Sequence, residues 1–167
     1  MILKSYGQLS SLREVYLDKR IALCNGAFDL IHAGHVLFFE DCKKYADILV
    51  VGVAEDALIR RNKGEQRPIL NECVRLKMID SLKPVDYCYL DRLDVVNGEQ
   101  PLKVLENIFS YLRPDLYIVN EDTFDMPYRE KIVASHKIEM MILTRYCPSE
   151  FKNISTSQII EKIKSLP

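Results

Sequence analysis

Residues 26–35 read Gly26-Ala27-Phe28-Asp29-Leu30-Ile31-His32-Ala33-Gly34-His35. The apolar run 21–25 stands directly before them and an amphipathic, helix-forming stretch directly after, so the segment is a strand-to-helix turn. In an open α/β sheet, ligands bind beyond the carboxyl ends of the strands, where such a turn sits. The turn also meets a helix N-terminus, whose unpaired N–H groups and positive dipole end favour phosphate. His32 and His35, three positions apart in the opening turn, share one side and can converge on a single phosphate. Gly26 and Gly34 let backbone approach a bulky polyanion without a Cβ in the way. A lone histidine near a helix start is commonly a cap or a satisfied surface group, but here two of the chain's three histidines fall within four residues. A zinc site is a further alternative, weakened because no third ligand of suitable type lies nearby.

Outward from this turn, short apolar runs alternate with helical-period segments, the pattern of βαβ units and a parallel sheet buried on both faces. Strands are predicted over 21–25, 48–54, 85–90, 116–120 and 138–143. Helices are predicted over 11–18, 34–45, 72–82, 101–112, 127–135 and 157–165, with Ser11-x-x-Glu14 as a capping box, Asn71 as a cap and a Ser/Thr cluster before the last helix. The expected fold is therefore α/β and doubly wound, a Rossmann-like five-stranded parallel sheet with helices on both faces. One domain over residues 1–167 is expected, with 1–19 as an N-terminal helical extension.

The 167 residues are 48% hydrophobic, enough for a sizeable core in one domain. With 23 basic and 24 acidic residues the formal net charge is −1, so no overall field draws in a nucleic acid or an anionic membrane. Phosphate recognition must then be local. Five cysteines without a C-x-x-C pair argue against a disulfide framework or zinc knuckle and are read as core residues in a reducing compartment. No apolar run approaches the roughly 18 residues of a spanning helix, and the start carries no signal-like segment, so a cytoplasmic protein is expected. His136 has no partner in sequence and is read as structural, as are Met140 and Met141.

The turn resembles the G-x-F-D-x-x-H-x-G-H signature of the cytidylyltransferase-like nucleotidyltransferases. The likeness continues through residues 46–53, Glu55-Asp56, Lys63-Gly64, Arg67-Pro68, Arg75 and Val85-Asp86 in that family's order. It closes with Ile154-Ser155-Thr156-Ser157, similar to the family's second signature, and so covers most of residues 20–165. The opening helix, Asn25-Gly26 and the 63–68 run most resemble adenylyltransferases that activate heptose 1-phosphate, with glycerol-3-phosphate cytidylyltransferases next.

This resemblance implies transfer of a nucleoside monophosphate from ATP or CTP to a sugar- or polyol-phosphate, with release of pyrophosphate. It implies that His32, His35 and Lys63 are catalytic, with Arg60 and Arg61 as sharers of the lysine's work. It assigns nucleotide binding to Gly26, Ala27, Phe28, Gly34, Asp122, Arg145, Ile154, Ser155 and Thr156, and it implies a magnesium ion held mainly by the nucleotide's phosphates. Asp29 and Asp122 are carboxylates that could help, or turn and cap residues. Relatives commonly pair as homodimers; neither nucleic acid nor membrane is expected as a partner. Two departures stand out: Glu121 where glycine is common, and the longer stretch 146–153, whose Lys152 could stand in for Arg145. A nucleotide-binding module without turnover is the alternative from another class. A fragment-like relative of class I aminoacyl-tRNA synthetases is a third, lacking a K-M-S-K-S-type loop and a basic face for RNA.

Overall fold

The computed structural model describes residues 1–92, 103–144, 147–151 and 154–166. Elements follow in the order β1 (Ile2–Leu3), α1 (Tyr6–Val15), β2 (Ile21–Gly26), α2 (Ala33–Lys43), β3 (Ile48–Ala54), α3 (Asp56–Lys63) and α4 (Glu72–Asp80). Then come β4 (Tyr87–Asp91), α5 (Lys103–Leu112), β5 (Leu116–Asn120), α6 (Met126–Ser135), β6 (Glu139–Leu143), a 3-10 turn at Ser149–Phe151 and α7 (Thr156–Lys164). The strands form one parallel sheet in the order β1-β4-β3-β2-β5-β6. The α/β, doubly wound expectation holds, with six strands in place of five.

The sixth strand is β1, in which Ile2 and Leu3 pair with Cys88 and Tyr89. Two residues are too few for any periodicity to register, so residues 1–19 were legible as helix alone; they in fact add a strand to the sheet edge. The first helix also begins earlier than Ser11, because Ser5 caps it by accepting from the Gln8 N–H at 3.3 Å. Burial decides between the two caps: the earlier start puts Leu9 and Leu12 on one face, both in the core beneath α5. Helix α3 was missed because its eight residues are mostly polar, with Leu58 and Ile59 as its buried pair.

Alternation along the central strand divides the core in two. Ile21 and Leu23 join α1, α5 and α6 on one face, through Leu9, Phe109 and Ile132 among others. Ala22 and Cys24 join α2 and α4 on the other, through Phe39, Cys42 and Ile79. Cys24, Cys42 and Cys88 are buried as expected, with the Cys88 thiol pushed up to about 12 by burial, whereas Cys73 is exposed and Cys147 half-buried. Carboxylates stitch the amino ends of the strands: Asp115 accepts from the Ile21 N–H at 2.8 Å and Asp86 from the Leu49 N–H at 2.7 Å. The opposite, carboxyl end is left for chemistry. There β2 sits between β3 and β5, and the chain direction across the sheet reverses, the place where open α/β sheets bind ligands.

Candidate active site

The turn after β2 is built from the inside. Phe28 takes a left-handed backbone (φ 44°), which costs a non-glycine residue roughly 1–2 kcal/mol. Its buried ring packs on Phe39 at 5.0 Å between centroids and stands edge-on to His35 at 5.5 Å. A Cβ on Gly26 would meet that ring at 2.9 Å, and one on Gly34 would meet the His32 ring at 3.1 Å. Both glycines therefore make room for the site's own rings, a nearer reason than the expected approach of a polyanion. Phe28 lines the cavity while acting chiefly as the wedge that sets His35.

Asp29 closes the other side of the turn. Its carboxylate accepts from Arg67 Nε at 2.9 Å and from the N–H groups of Ile69 (2.9 Å) and Leu70 (2.9 Å). Those bonds make it a loop clamp rather than the catalytic helper it could have been. Arg75, with no exposed surface, donates to the carbonyls of Ala27 (2.5 Å), Ala54 (2.7 Å) and Leu70 (2.9 Å) and to the Asp56 carboxylate (2.7 Å). The motif arginines at 67 and 75 thus hold the turn in shape.

His32 is the N-cap residue of α2, in extended backbone and without a side-chain cap bond, and His35 lies in the first turn. Their rings stack at 4.0 Å with 26° between planes, and both line a cavity of about 600 Å³. That volume lies within the roughly 300–1,000 Å³ of small-molecule sites. The two halves of the chain meet at Gly34, whose would-be Cβ would stand in ordinary contact with the Ile154 carbonyl at 3.6 Å. The start of α7 is thereby brought beside the start of α2. Thr156 and Ile154 line the cavity with Gly26, Ala27 and Gly34. Ser155 is not among the lining residues: it forms a capping box, accepting from the Gln158 N–H at 3.3 Å while its own N–H donates to Gln158 Oε1 at 2.8 Å. Its contribution is to fix the helix end.

Lys63, last residue of α3, and Asp122, just beyond β5, both line the cavity. Much of the Lys63 chain is exposed, yet partial burial of its ammonium lowers its pKa, Arg67 adds to the fall, and Asp29 and Asp122 oppose it. Asn62 accompanies it at the wall, whereas Arg60 and Arg61 do not line the cavity. Arg145 and Lys152 lie outside the described residues. His136 caps the end of α6 and stands edge-on to Phe109 at 5.6 Å. Among the described residues no group of three or more His, Cys, Asp or Glu is arranged to hold a metal ion.

Below these residues lies a polar floor that sequence reading missed. Arg129 of α6, buried, donates through Nη1 to the Tyr117 hydroxyl. Tyr117 donates to Asn25 Oδ1 at 2.8 Å, and Asn25 Nδ2 donates to Asp91 Oδ2 at 3.2 Å. Arg129 also donates through Nε to the Phe124 carbonyl at 3.0 Å and lies over the Phe124 ring at 5.1 Å. Asp91 is buried, and desolvation pushes its carboxyl up to about 6 against the lowering effects of Asn25 and Arg129. One signal was available: Arg129 sits three and four positions before Ile132 and Val133, on the buried stripe of its helix.

A switch-point crevice lined by two helix starts, paired imidazoles and a lysine has the donors and positive charge that suit a phosphate-bearing ligand. The family described as Cytidylyltransferase-like matches residues 23–162. The chain belongs to this family of nucleotidyltransferase enzymes. It is 33% identical over 148 residues to the bifunctional protein HldE of Campylobacter jejuni (strain RM1221), covering 88% of this chain and 28% of that protein. The bifunctional protein HldE of Helicobacter pylori (strain ATCC 700392 / 26695) is 35% identical over 157 residues, covering 93% of this chain and 30% of the relative. The chain thus spans less than a third of the length of these curated relatives. Among solved structures, the lipopolysaccharide core biosynthesis protein from Thermoplasma volcanium GSS1 aligns with a TM-score of 0.59 and 30% identity, over 78% of this chain and 99% of that one. Pantoate-beta-alanine ligase from Francisella tularensis shares the fold, with a TM-score of 0.65 at 15% identity over 98% of this chain and 77% of its own. No helix among the described residues is long and apolar enough to cross a membrane.

Proposed function

We propose that this chain transfers a nucleoside monophosphate from ATP or CTP to a sugar- or polyol-phosphate and releases pyrophosphate, most like a heptose 1-phosphate adenylyltransferase. The observation that carries this reading is the stacked His32–His35 pair, 4.0 Å apart at the mouth of a helix whose neighbour α7 starts on the same cavity. A phosphate oxygen of the acceptor attacks the α-phosphorus in line; the new P–O bond forms as the bond to the bridging oxygen breaks, and pyrophosphate leaves with that electron pair. With a second pKa of about 6, the acceptor phosphate is largely dianionic at neutral pH and needs no general base. Catalysis then rests on positioning and charge neutralisation. His32, His35, Lys63 and the N–H groups around Thr156 oppose the charge that builds on the departing pyrophosphate. Magnesium enters as part of the nucleotide substrate, bound through its phosphates and water. By resemblance, two copies of the chain are expected to pair.

The test is to incubate the protein with magnesium, each of four NTPs, and acceptors including heptose 1-phosphate and glycerol 3-phosphate, and to identify nucleotide-linked products by mass. Pyrophosphate should require both substrates. Nucleotide binding without turnover across the panel would identify a binding module instead, the reading that the Glu121 departure favours.

A further inference from the structure

We propose that Asp91 recognises a hydroxyl group of the acceptor, making the floor of the cavity a selector for polyhydroxylated phosphates. This rests on the nucleotidyltransferase reading above and assigns a residue that the family signatures do not include. Four residues from four elements, Asn25, Asp91, Tyr117 and Arg129, form one chain of hydrogen bonds. Every donor in it points the same way, from the guanidinium through hydroxyl and amide to the carboxylate. Such a chain polarises along its length, so each bond strengthens the next. Its effect is to fix Asp91 through Oδ2, leaving Oδ1 buried and without a hydrogen-bond partner among the described residues. A buried carboxylate oxygen in that condition calls for a donor; the nearby Tyr89 hydroxyl, itself buried and unpartnered among the described residues, makes no hydrogen bond to it, and Asp91 lines the cavity, so we assign the donor to the ligand.

The donor could be a hydroxyl or an ammonium group. The cavity's cations Lys63, Arg67 and Arg129 are matched by the carboxylates of Asp29, Asp41, Asp91 and Asp122, so charge alone excludes neither donor. The acceptor class proposed above decides for the hydroxyl. Sugar and polyol phosphates offer such a group; simple alkyl phosphates do not. A site built to bond a hydroxyl rejects a ligand lacking it strongly, because its own polar group is then left unsatisfied.

The experiment measures binding by titration calorimetry with the whole chain. Heptose 1-phosphate, glycerol 3-phosphate, ethyl phosphate and phosphoethanolamine are compared on the natural protein, Asp91→Asn and Tyr117→Phe, with a non-hydrolysable NTP as control. The better of the two hydroxyl-bearing phosphates should bind the natural protein about tenfold or more tightly than ethyl phosphate or phosphoethanolamine. Asp91→Asn should shrink that ratio to about threefold or less, and Tyr117→Phe should shrink it partway, each with NTP affinity unchanged. The proposal is overturned if the natural protein shows no such preference, if phosphoethanolamine binds best, or if Asp91→Asn keeps the full ratio. Should a variant fail to fold, the four-ligand comparison on the natural protein still decides. Hydroxyl selectivity that depends on Asp91, without pyrophosphate release from any NTP, would refute the reaction and leave this inference standing. Pyrophosphate release with no hydroxyl selectivity would do the reverse.

Discussion

The rim of the cavity and its floor are built by opposite strategies. At the rim, His32 and His35 come from one turn of one helix, and thirteen consecutive residues from Gly26 to Phe38 contribute eight that line the cavity. On the floor, Asn25, Asp91, Tyr117 and Arg129 meet from β2, β4, β5 and α6, the first and the last 104 positions apart in sequence. In the proposed reaction the rim presents charge toward phosphates, which all nucleotides share, and the floor presents hydrogen-bond geometry, which separates one acceptor from another. On that reading a contiguous motif carries the general chemistry, while selectivity depends on the tertiary fold.

The largest expected effect would break this division at the rim. His32→Ala and His35→Ala should each lower pyrophosphate release by about 10²–10³-fold, the cost of removing one preorganised donor. Steady-state turnover, with circular dichroism to confirm folding, checks it; folded variants of undiminished rate would end the assignment of catalysis to the rim. Next in size, Asp29→Ala should destabilise the protein by about 3 kcal/mol, because the Arg67 guanidinium and two N–H groups lose their acceptor together. Urea unfolding measures this, and a loss under about 1 kcal/mol would mean the clamp is replaceable.

For the floor, the sign follows from Asp91. Its folded pKa of about 6 stands above the ordinary 3.8, so below pH 3.8 the residue is protonated in both states. Between the two values the unfolded chain loses its proton first, and stability drains away as pH rises through 6. Asp91→Asn removes that drain and should gain on the natural protein by about 2–3 kcal/mol between pH 4 and pH 7. Parallel unfolding profiles for the two proteins would contradict it. The smallest effect belongs to the α7 cap: Ser155→Ala should cost about 1 kcal/mol, read as a lower midpoint in thermal unfolding.

The same contrast explains what could be read before the structure. The strands 48–54 and 116–120 were legible to the residue because parallel strands covered on both faces are continuous apolar runs. The stacked histidines were legible because helical spacing places i and i+3 together. Strand β1 was not, being two residues long, and α3 was not, being short and mostly polar. Ser155 has the hydroxyl the signature expects, yet whether a serine caps a helix or faces a ligand is settled by a few ångströms that spacing does not encode. Arg129 offered only its place on the buried stripe of its helix and Asp91 no pattern at all, because each finds its meaning in residues distant along the chain.

Arg75 has one more consequence. Its planar fork of donors joins the ends of β2 and β3 to the loop at Leu70 and the start of α3, and no solvent reaches it. A lysine would keep the charge but could not span those acceptors in one plane. One jaw of the cavity is therefore immobile, and any accommodation of ligands of different girth falls to the facing jaw, where Asp122 and Phe124 are exposed. Attempts to re-tailor the enzyme for a bulkier acceptor belong on that adjustable side.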